Sequence, residues 1–314
     1  MEKLIRSLHH VTATVSDAQE DLDFYGDLLG LRLVKRTVNF DNHHVFHFYY
    51  GDAVGNPGTI MTTFPYKGMG VPVGSRGAGQ IGLTAFSVPV DSLDFWRTRL
   101  RTHAIAIAGE GSRFGEEFLA FHDPSGLAIE LVANPLDQRD PWTGETIGAA
   151  VAIRGVHRVS MVLRSPAQSL QFMTEVLGYE VVGEADSRTR VAVNGNLPGH
   201  IIELLHVPDA PAARNGLGTV HHVAMAIADA GEQLRVRQEL VRLGINVTEV
   251  RDRQYFRSIY FREPGGVLFE IATVPPGFLV DEDPAHLGSG LKLPPWEEPH
   301  RPSIEAALPS IKVR

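Results

Sequence analysis

Two histidine doublets, His9-His10 and His221-His222, and a glutamate in an apolar run, Val267-Leu268-Phe269-Glu270-Ile271, could do chemistry in this chain. Cysteine is absent, which excludes disulfides, thiolate metal sites and cysteine nucleophiles and leaves metal chemistry to His, Asp and Glu. A carboxylate among Val267, Phe269 and Ile271 is costly to bury unpaired, and a metal ion would relieve that cost. Glu130 and Glu203 sit in apolar strands too, where a salt bridge to an arginine is the plainer reading. Two imidazoles and one carboxylate form a facial set with open neighbouring positions, the arrangement with which non-haem Fe(II) takes a substrate and O2 together. A fourth protein ligand would instead favour Lewis-acid work on one substrate.

Internal repeats define the elements that must position these groups. Leu8-His9-His10-Val11-Thr12 begins one unit and Gln80-Ile81-Gly82-Leu83-Thr84 a weaker second. Gly155-Val156-His157-Arg158-Val159 begins a third and Thr219-Val220-His221-His222-Val223 a fourth. The interval from Gly82 to Glu130 equals that from His222 to Glu270, at 48 residues. Helix starts are signalled by Ser16 with Gln19, Asp91 before Ser92, Ser165-Pro166 with Gln168, and Asp229 with Glu232. Each unit therefore reads β-α-β-β-β. The expected fold is α+β: four βαβββ modules, at 8–64, 80–134, 154–206 and 219–274, forming two cupped mixed β-sheet domains with flanking helices. Along the chain these give a two-module half at 1–135, a linker at 136–152, a second half at 153–276, and a proline-rich tail at 277–314 wrapping the body.

Alternation along the strands sorts the faces. Val11, Ala13 and Val15 pack on a helix, which leaves His10, Thr12 and Thr14 on the other side. Val223, Met225 and Ile227 likewise leave His222 and Ala224, and Glu270 shares its face with Leu268 and Ala272. Pairing the first module with the fourth assembles His10, His222 and Glu270, and Met61-Thr62-Thr63 offers no strong fourth ligand. In the middle modules the same counting sets Gly82, Thr84 and Phe86 beside Glu130, and His157, Val159 and Met161 beside Glu203, a filled pseudo-site. His157 with His222 and Glu270 is the rival ligand set. The apolar company of His157, and the doublet with Thr12 around His10, favour His10. His44, His47, His103 and His122 read as structural.

The chain has 314 residues, with 29 Lys+Arg against 37 Asp+Glu and a net charge of −8, which argues against nucleic acid or an anionic membrane as partner. No stretch has the length of a signal peptide core or a membrane span, so a cytoplasmic protein is expected, although missing cysteines fit the periplasm as well.

Leu8-His9-His10-Val11-Thr12, Met61-Thr62-Thr63-Phe64-Pro65, the stretch 105–115, His221-His222 and the run from Asp252 through Tyr260 to Glu270 carry a family likeness. With its fourfold repeat, the chain resembles the vicinal oxygen chelate superfamily, and within it the ring-cleaving dioxygenases of the hydroquinone 1,2-dioxygenase kind. That resemblance implies Fe(II), alternatively Mn(II), held by His10, His222 and Glu270. It also implies His9, Thr12, His221, Arg253 and Tyr260 around them. His9 or His221 would serve as general acid/base, with Arg253 and Tyr260 orienting substrate and stabilising oxyanion charge and Thr12 joining them in substrate binding. The expected activity is extradiol-type cleavage of a hydroquinone or catechol, with a small dihydroxy aromatic and O2 as partners and a homo-oligomer left open. Two alternatives stand beside it. A glyoxalase-like isomerase or lyase wants a second carboxylate, and a metal-free binding protein of the bleomycin-resistance type needs none of the three ligands.

Overall fold

The computed structural model describes residues 3–313. The first module contributes β1 (Ser7–Val15), β2 (Arg32–Asn39), β3 (Asn42–Gly51) and β4 (Ile60–Pro65), and the second β5 (Gln80–Val88), β6 (Ile107–Arg113), β7 (Glu116–His122) and β8 (Ala128–Ala133). The third holds β9 (Gly155–Leu163), β10 (Glu180–Ala185), β11 (Arg188–Ala192) and β12 (Ile201–His206). The fourth holds β13 (Thr219–Ile227), β14 (Arg251–Asp252), β15 (Arg257–Arg262) and β16 (Leu268–Thr273). A helix follows each opening strand: α1 (Ala18–Leu22), α2 (Leu93–Thr102), α3 (Ala167–Glu175) and α4 (Ala230–Arg242). The fold is the α+β arrangement of four βαβββ modules.

The strands form two eight-stranded sheets, ordered β14-β15-β16-β13-β1-β4-β3-β2 and β10-β11-β12-β9-β5-β8-β7-β6. The first sheet joins modules one and four; the second joins modules two and three. Each sheet thus draws on both halves of the sequence. The joint is an antiparallel pair of opening strands, β1 with β13 and β5 with β9, so each sheet has an approximate twofold axis between its modules. Among the described residues no helix is long and apolar enough to cross a membrane.

Three of the four helix starts differ from expectation at the cap. Neither Asp91 nor Ser92 caps α2 with its side chain, and the Ser92 hydroxyl donates to Pro89 O at 2.6 Å instead. Asp17, not Ser16, caps α1, accepting from the Gln19 and Glu20 amides at 2.8 and 3.0 Å, because its oxygen lies one residue nearer the helix. Pro166 precedes α3 with no side-chain cap, and Ser165 plays no part. Asp229 does cap α4, accepting from Glu232 N at 2.9 Å, while Glu232 Oε2 accepts from Ala228 N at 3.3 Å. This is a capping box shifted by one residue on its return arm.

Register explains both the outcome and one correction. In β1 the pairing with β13 steps from Leu8 to His10, and in β13 it steps across His221 between Thr12↔His222 and Ala13↔Val220. His9 and His221 are therefore bulge residues. The second sheet repeats the steps at Gly82 and His157. Leu83 opposes Ser160, and Ala85 opposes Arg158, as His10 opposes Ala224 and Thr12 opposes His222. Counting 48 residues back from Glu130 lands on a bulge, so the concave positions of the middle modules are Leu83, Ala85, Arg158 and Ser160. Phe86, Val159 and Met161 belong instead to the buried core.

The tail (277–313) lies against the first sheet. Phe278 and Leu287 are buried beside Val34 and Tyr255, Leu291 bridges to Arg36, and the fully buried Lys35 ion-pairs with Asp281 and Glu282. Ile304, in α5 (Arg301–Ala307), packs with Val38 and Leu293.

One buried acidic cluster sits in the core behind the first cup. Asp21 accepts from Tyr50 OH at 2.7 Å and from Thr63, and Asp123 accepts from Tyr25 OH at 3.3 Å. The Tyr25 and Tyr50 rings stack at 5.2 Å. Burial pushes Asp21 up to about 7 and Asp123 up to about 6. A carboxyl raised in the folded state gives stability that is full below its unfolded value, near 3.8, and is lost as pH rises through the folded one. Asp21→Asn removes that ionisation. Its unfolding free energy relative to wild type is expected to climb between pH 4 and 8, by up to about 4 kcal/mol, read from denaturant titrations at each pH.

Candidate metal centre and the cavity above it

β1, β13 and β16 lie side by side in the first sheet, and their concave residues converge. His10 comes from β1 and His222 from β13, and Glu270 on β16 pairs with Ala224 of β13. His10 Nε2 lies 3.3 Å from His222 Nε2 and 3.3 Å from Glu270 Oε2, and His222 Nε2 lies 2.8 Å from the same oxygen. All three side chains are almost wholly buried. Among the described residues these are the group whose ligand atoms could close on one metal ion.

The donor set fits an ion. Ligands about 2.1 Å from a common metal and at right angles lie roughly 3 Å apart, which is the spacing these atoms keep. Glu270 Oε2 is buried with no hydrogen bond made to it, while Ser258 donates to Oε1. Burial pushes the Glu270 carboxyl up, but the two imidazoles facing it outweigh that and hold it well below the usual carboxylate range. Burial lowers His222, against the pull of Glu270, and so favours the neutral ring that a metal ligates.

The bulges bring each doublet's rings together. His9 Nδ1 is 2.9 Å from His10 Nδ1, and His221 Nδ1 is 2.8 Å from His222 Nδ1. Burial, helped by the adjacent imidazole, takes His9 and His221 down to about 3. Both are neutral, so each can accept at Nδ1 the proton of the imidazole beside it, whose Nε2 is then left bare toward the cluster. Their surroundings differ. His221 lines the cavity, whereas His9 lies behind His10 against Phe256, at 5.0 Å between ring centroids.

Position four of the twofold arrangement is Thr62, which pairs with Thr12 as Glu270 pairs with Ala224. Its hydroxyl donates to Thr12 Oγ1 at 2.9 Å and lies 2.9 Å from His47 Nε2. No carboxylate stands there. Tyr260, beside Glu270 on β15, holds its hydroxyl 3.2 Å from Arg253 Nε. Burial and the nearby Glu270 raise the Tyr260 pKa, so it stays a phenol. The cavity above the cluster measures about 440 Å³ and is walled by rings, among them Phe40, Tyr49, Phe64 and Phe256.

The structure thus gathers His10, His222, Glu270, Thr12, His221, Arg253 and Tyr260 at one cavity and sets His9 behind it. His157 stands apart on the second sheet, 2.8 Å from Glu116, at the bulge position that corresponds to His221. His47, read from the sequence as structural, lines the cavity, and so does Tyr49, which the sequence reading passed over; Phe46, Phe48 and Tyr50 in the core place these alternate residues of β3 in the cup. Ser258 was missed too, and so was Asp41, since nothing local marks a hairpin tip as the rim of a distant site.

In the second cup an arginine takes the place of His222. Arg158, 1% exposed, ion-pairs with Glu130 and, at 2.8 Å, with Glu203. Arg190 reaches Glu203 at 2.9 Å and Glu116 at 2.8 Å. Leu83 stands where His10 stands in the first cup. The plainer reading of the two glutamates holds: guanidinium groups neutralise them.

The model of the Glyoxalase/Bleomycin resistance protein/Dioxygenase superfamily matches residues 7–131 and 155–271. MhqE of Bacillus subtilis (strain 168), provisionally named a ring-cleaving dioxygenase, is 44% identical over 97% of this chain and 98% of its own. The chlorohydroquinone/hydroquinone 1,2-dioxygenase of Sphingobium indicum is 35% identical over 94% of this chain and 93% of its own. A crystal structure of a provisionally named dioxygenase from Bacillus subtilis superposes with a TM-score of 0.94, at 40% identity over 99% of both chains. Glyoxalase I from Zea mays shares the fold alone, with a TM-score of 0.65 at 14% identity, covering 85% of this chain and 92% of that one. With its repeats, paired modules and shared cup already in view, the chain belongs to the glyoxalase/bleomycin resistance protein/dioxygenase superfamily.

Proposed function

We propose that this protein is a metal-dependent ring-cleaving dioxygenase acting on a hydroquinone or catechol. The observation that carries this is the one-sided ligand set: His10, His222 and Glu270 converge, and the fourth symmetric position holds Thr62, already engaged with Thr12 and His47. The full-length likeness to enzymes named for ring cleavage supports the same reading. A redox-active divalent ion there, Fe(II) or in its place Mn(II), supplies electron transfer between an electron-rich ring and O2.

The protein's own groups do the rest. His9 and His221 hold the tautomers of His10 and His222 by accepting at Nδ1. His221 then keeps its proton on Nε2, and as the member of the pair that lines the cavity it is the one placed to donate to a substrate oxygen; His9 only positions His10. Arg253 Nε–H donates to the Tyr260 oxygen, which frees the phenolic proton for an oxyanion developing on the ring. His47 Nε2–H, Thr62 and Thr12 form an aligned chain ending in the Thr12 hydroxyl, free to point at bound substrate. The aromatic walls exclude water and stack on the ring.

The test is anaerobic loading with Fe(II), then oxygen uptake with hydroquinone, catechol and the methylglyoxal–glutathione adduct. Uptake with an aromatic is expected, and uptake with neither overturns the reading. Tyr260→Phe is expected to keep its metal and lose about 100-fold in kcat, the usual cost of one oxyanion donor.

A further inference from the structure

We propose that Asp41 determines specificity at this site: by occupying the two arginines at the rim, it makes the cavity refuse dihydroxy rings with an anionic substituent and admit those with a neutral one. The inference rests on the ring-cleavage reading and names the substrate class within it.

Asp41 lies at the tip between β2 and β3 in module one, and Arg251 and Arg253 lie on and just after β14 in module four. Asp41 Oδ1 is 3.1 Å from Arg251 Nη1, and Oδ2 is 2.9 Å from Arg253 Nη2. The three span the mouth of the cup and line the cavity. Arg253 is close to the chemistry, since its Nε holds Tyr260 and the Tyr260 ring lies 5.6 Å from that of His222. Two guanidinium groups beside an aromatic cavity would, if free, form a fork for a carboxylate. Asp41 fills that fork. An anionic substituent must displace it or lie against it, whereas a neutral one meets Phe40 and Phe64.

The placement is built into the turn. Asn39 Oδ1 accepts from Asp41 N at 2.9 Å, and Asn39 Nδ2 donates to Tyr66 OH at 2.9 Å, so the carboxylate is carried on a fixed backbone. The side chains of Asp41 and Arg251 are about half exposed, so the pair contributes little to stability and its loss leaves the fold standing. Its effect is local, through the charge that a ligand meets.

An isosteric pair of probes isolates that charge: 2,5-dihydroxybenzamide, neutral, and 2,5-dihydroxybenzoate, anionic. Wild-type protein is expected to prefer the amide in kcat/KM. Asp41→Asn is expected to shift the acid-to-amide ratio toward the acid by about tenfold, mainly in KM, and Asp41→Glu to restore it. Salt should erode the shift. The same ratio is read as binding, by titration calorimetry of both probes into the protein. A ratio within about twofold of wild type in Asp41→Asn, or no restoration in Asp41→Glu, overturns the role of Asp41. If wild-type protein consumes neither hydroquinone nor catechol, the ring-cleavage reading fails by itself, and the calorimetric ratio still decides on Asp41.

Discussion

His10→Ala, loaded with Fe(II) and desalted, is expected to retain about a tenth or less of the wild-type metal, while His157→Ala retains all of it. The reason is topological. The two histidines are 147 positions apart in sequence and both follow a strand start, but β1 pairs with β13 and β9 pairs with β5. His10 therefore faces His222 at 3.3 Å, and His157 faces Glu116 in the other sheet. Removing one of the three proposed ligands should cost more than removing an outer partner. His9→Ala and His221→Ala should each weaken metal binding by about 10–100-fold, through loss of the imidazole that fixes the ligand's tautomer. Elemental analysis of the four variants, beside oxygen uptake, separates these levels. Full metal in His10→Ala and none in His157→Ala would mean the ligands come from another pairing of modules.

Much of this arrangement was legible in the residues. The four openings, the β-α-β-β-β order and the faces of β1, β13 and β16 all follow from alternation, because the apolar residues Val11, Ala13, Val15, Val223, Met225 and Ile227 mark the buried side without ambiguity. The middle modules misled for a physical reason. A bulge inserts one residue, and one residue inverts every later face of a period-two pattern. Gly82 and His157 are those insertions, so alternation counted across them exchanges core and concavity. The same device explains the doublets: an ideal strand sends His9 and His10 to opposite faces, and only a bulge lets their Nδ1 atoms meet at 2.9 Å. Asp41 and Arg251 carry no local signal, since their pairing spans 210 residues of sequence.

Arg158→Met is expected to destabilise the fold by about 3–5 kcal/mol, the usual cost of removing one partner from a buried ion pair, without lowering metal content per folded chain. Arg158 is the counterpart of His222, and its guanidinium occupies the concavity where the first cup gathers its candidate ligands. Without it, the buried Glu130 and Glu203 are left for Arg113, Arg188 and Arg190 to share. Acid exposes the same dependence. Burial pushes Glu203 up, but Arg158 and Arg190 outweigh it and hold the carboxyl down at about 2; His157 and Arg190 do the same for Glu116. A carboxyl lowered in the folded state gives stability that is full above its unfolded value, near 4.5, and is lost as pH falls toward the folded one. Wild-type protein should therefore lose this contribution between about pH 4.5 and 2, and Arg158→Met, with Glu203 released upward, should have less of it to lose and be weaker already at pH 6. Denaturant midpoints against pH, with metal analysis on the same samples, check both halves. Equal stability of Arg158→Met and wild type at pH 6 would show that the other arginines suffice, and a parallel loss of metal would show that the second cup supports the first rather than standing as a separate, ion-paired copy of it.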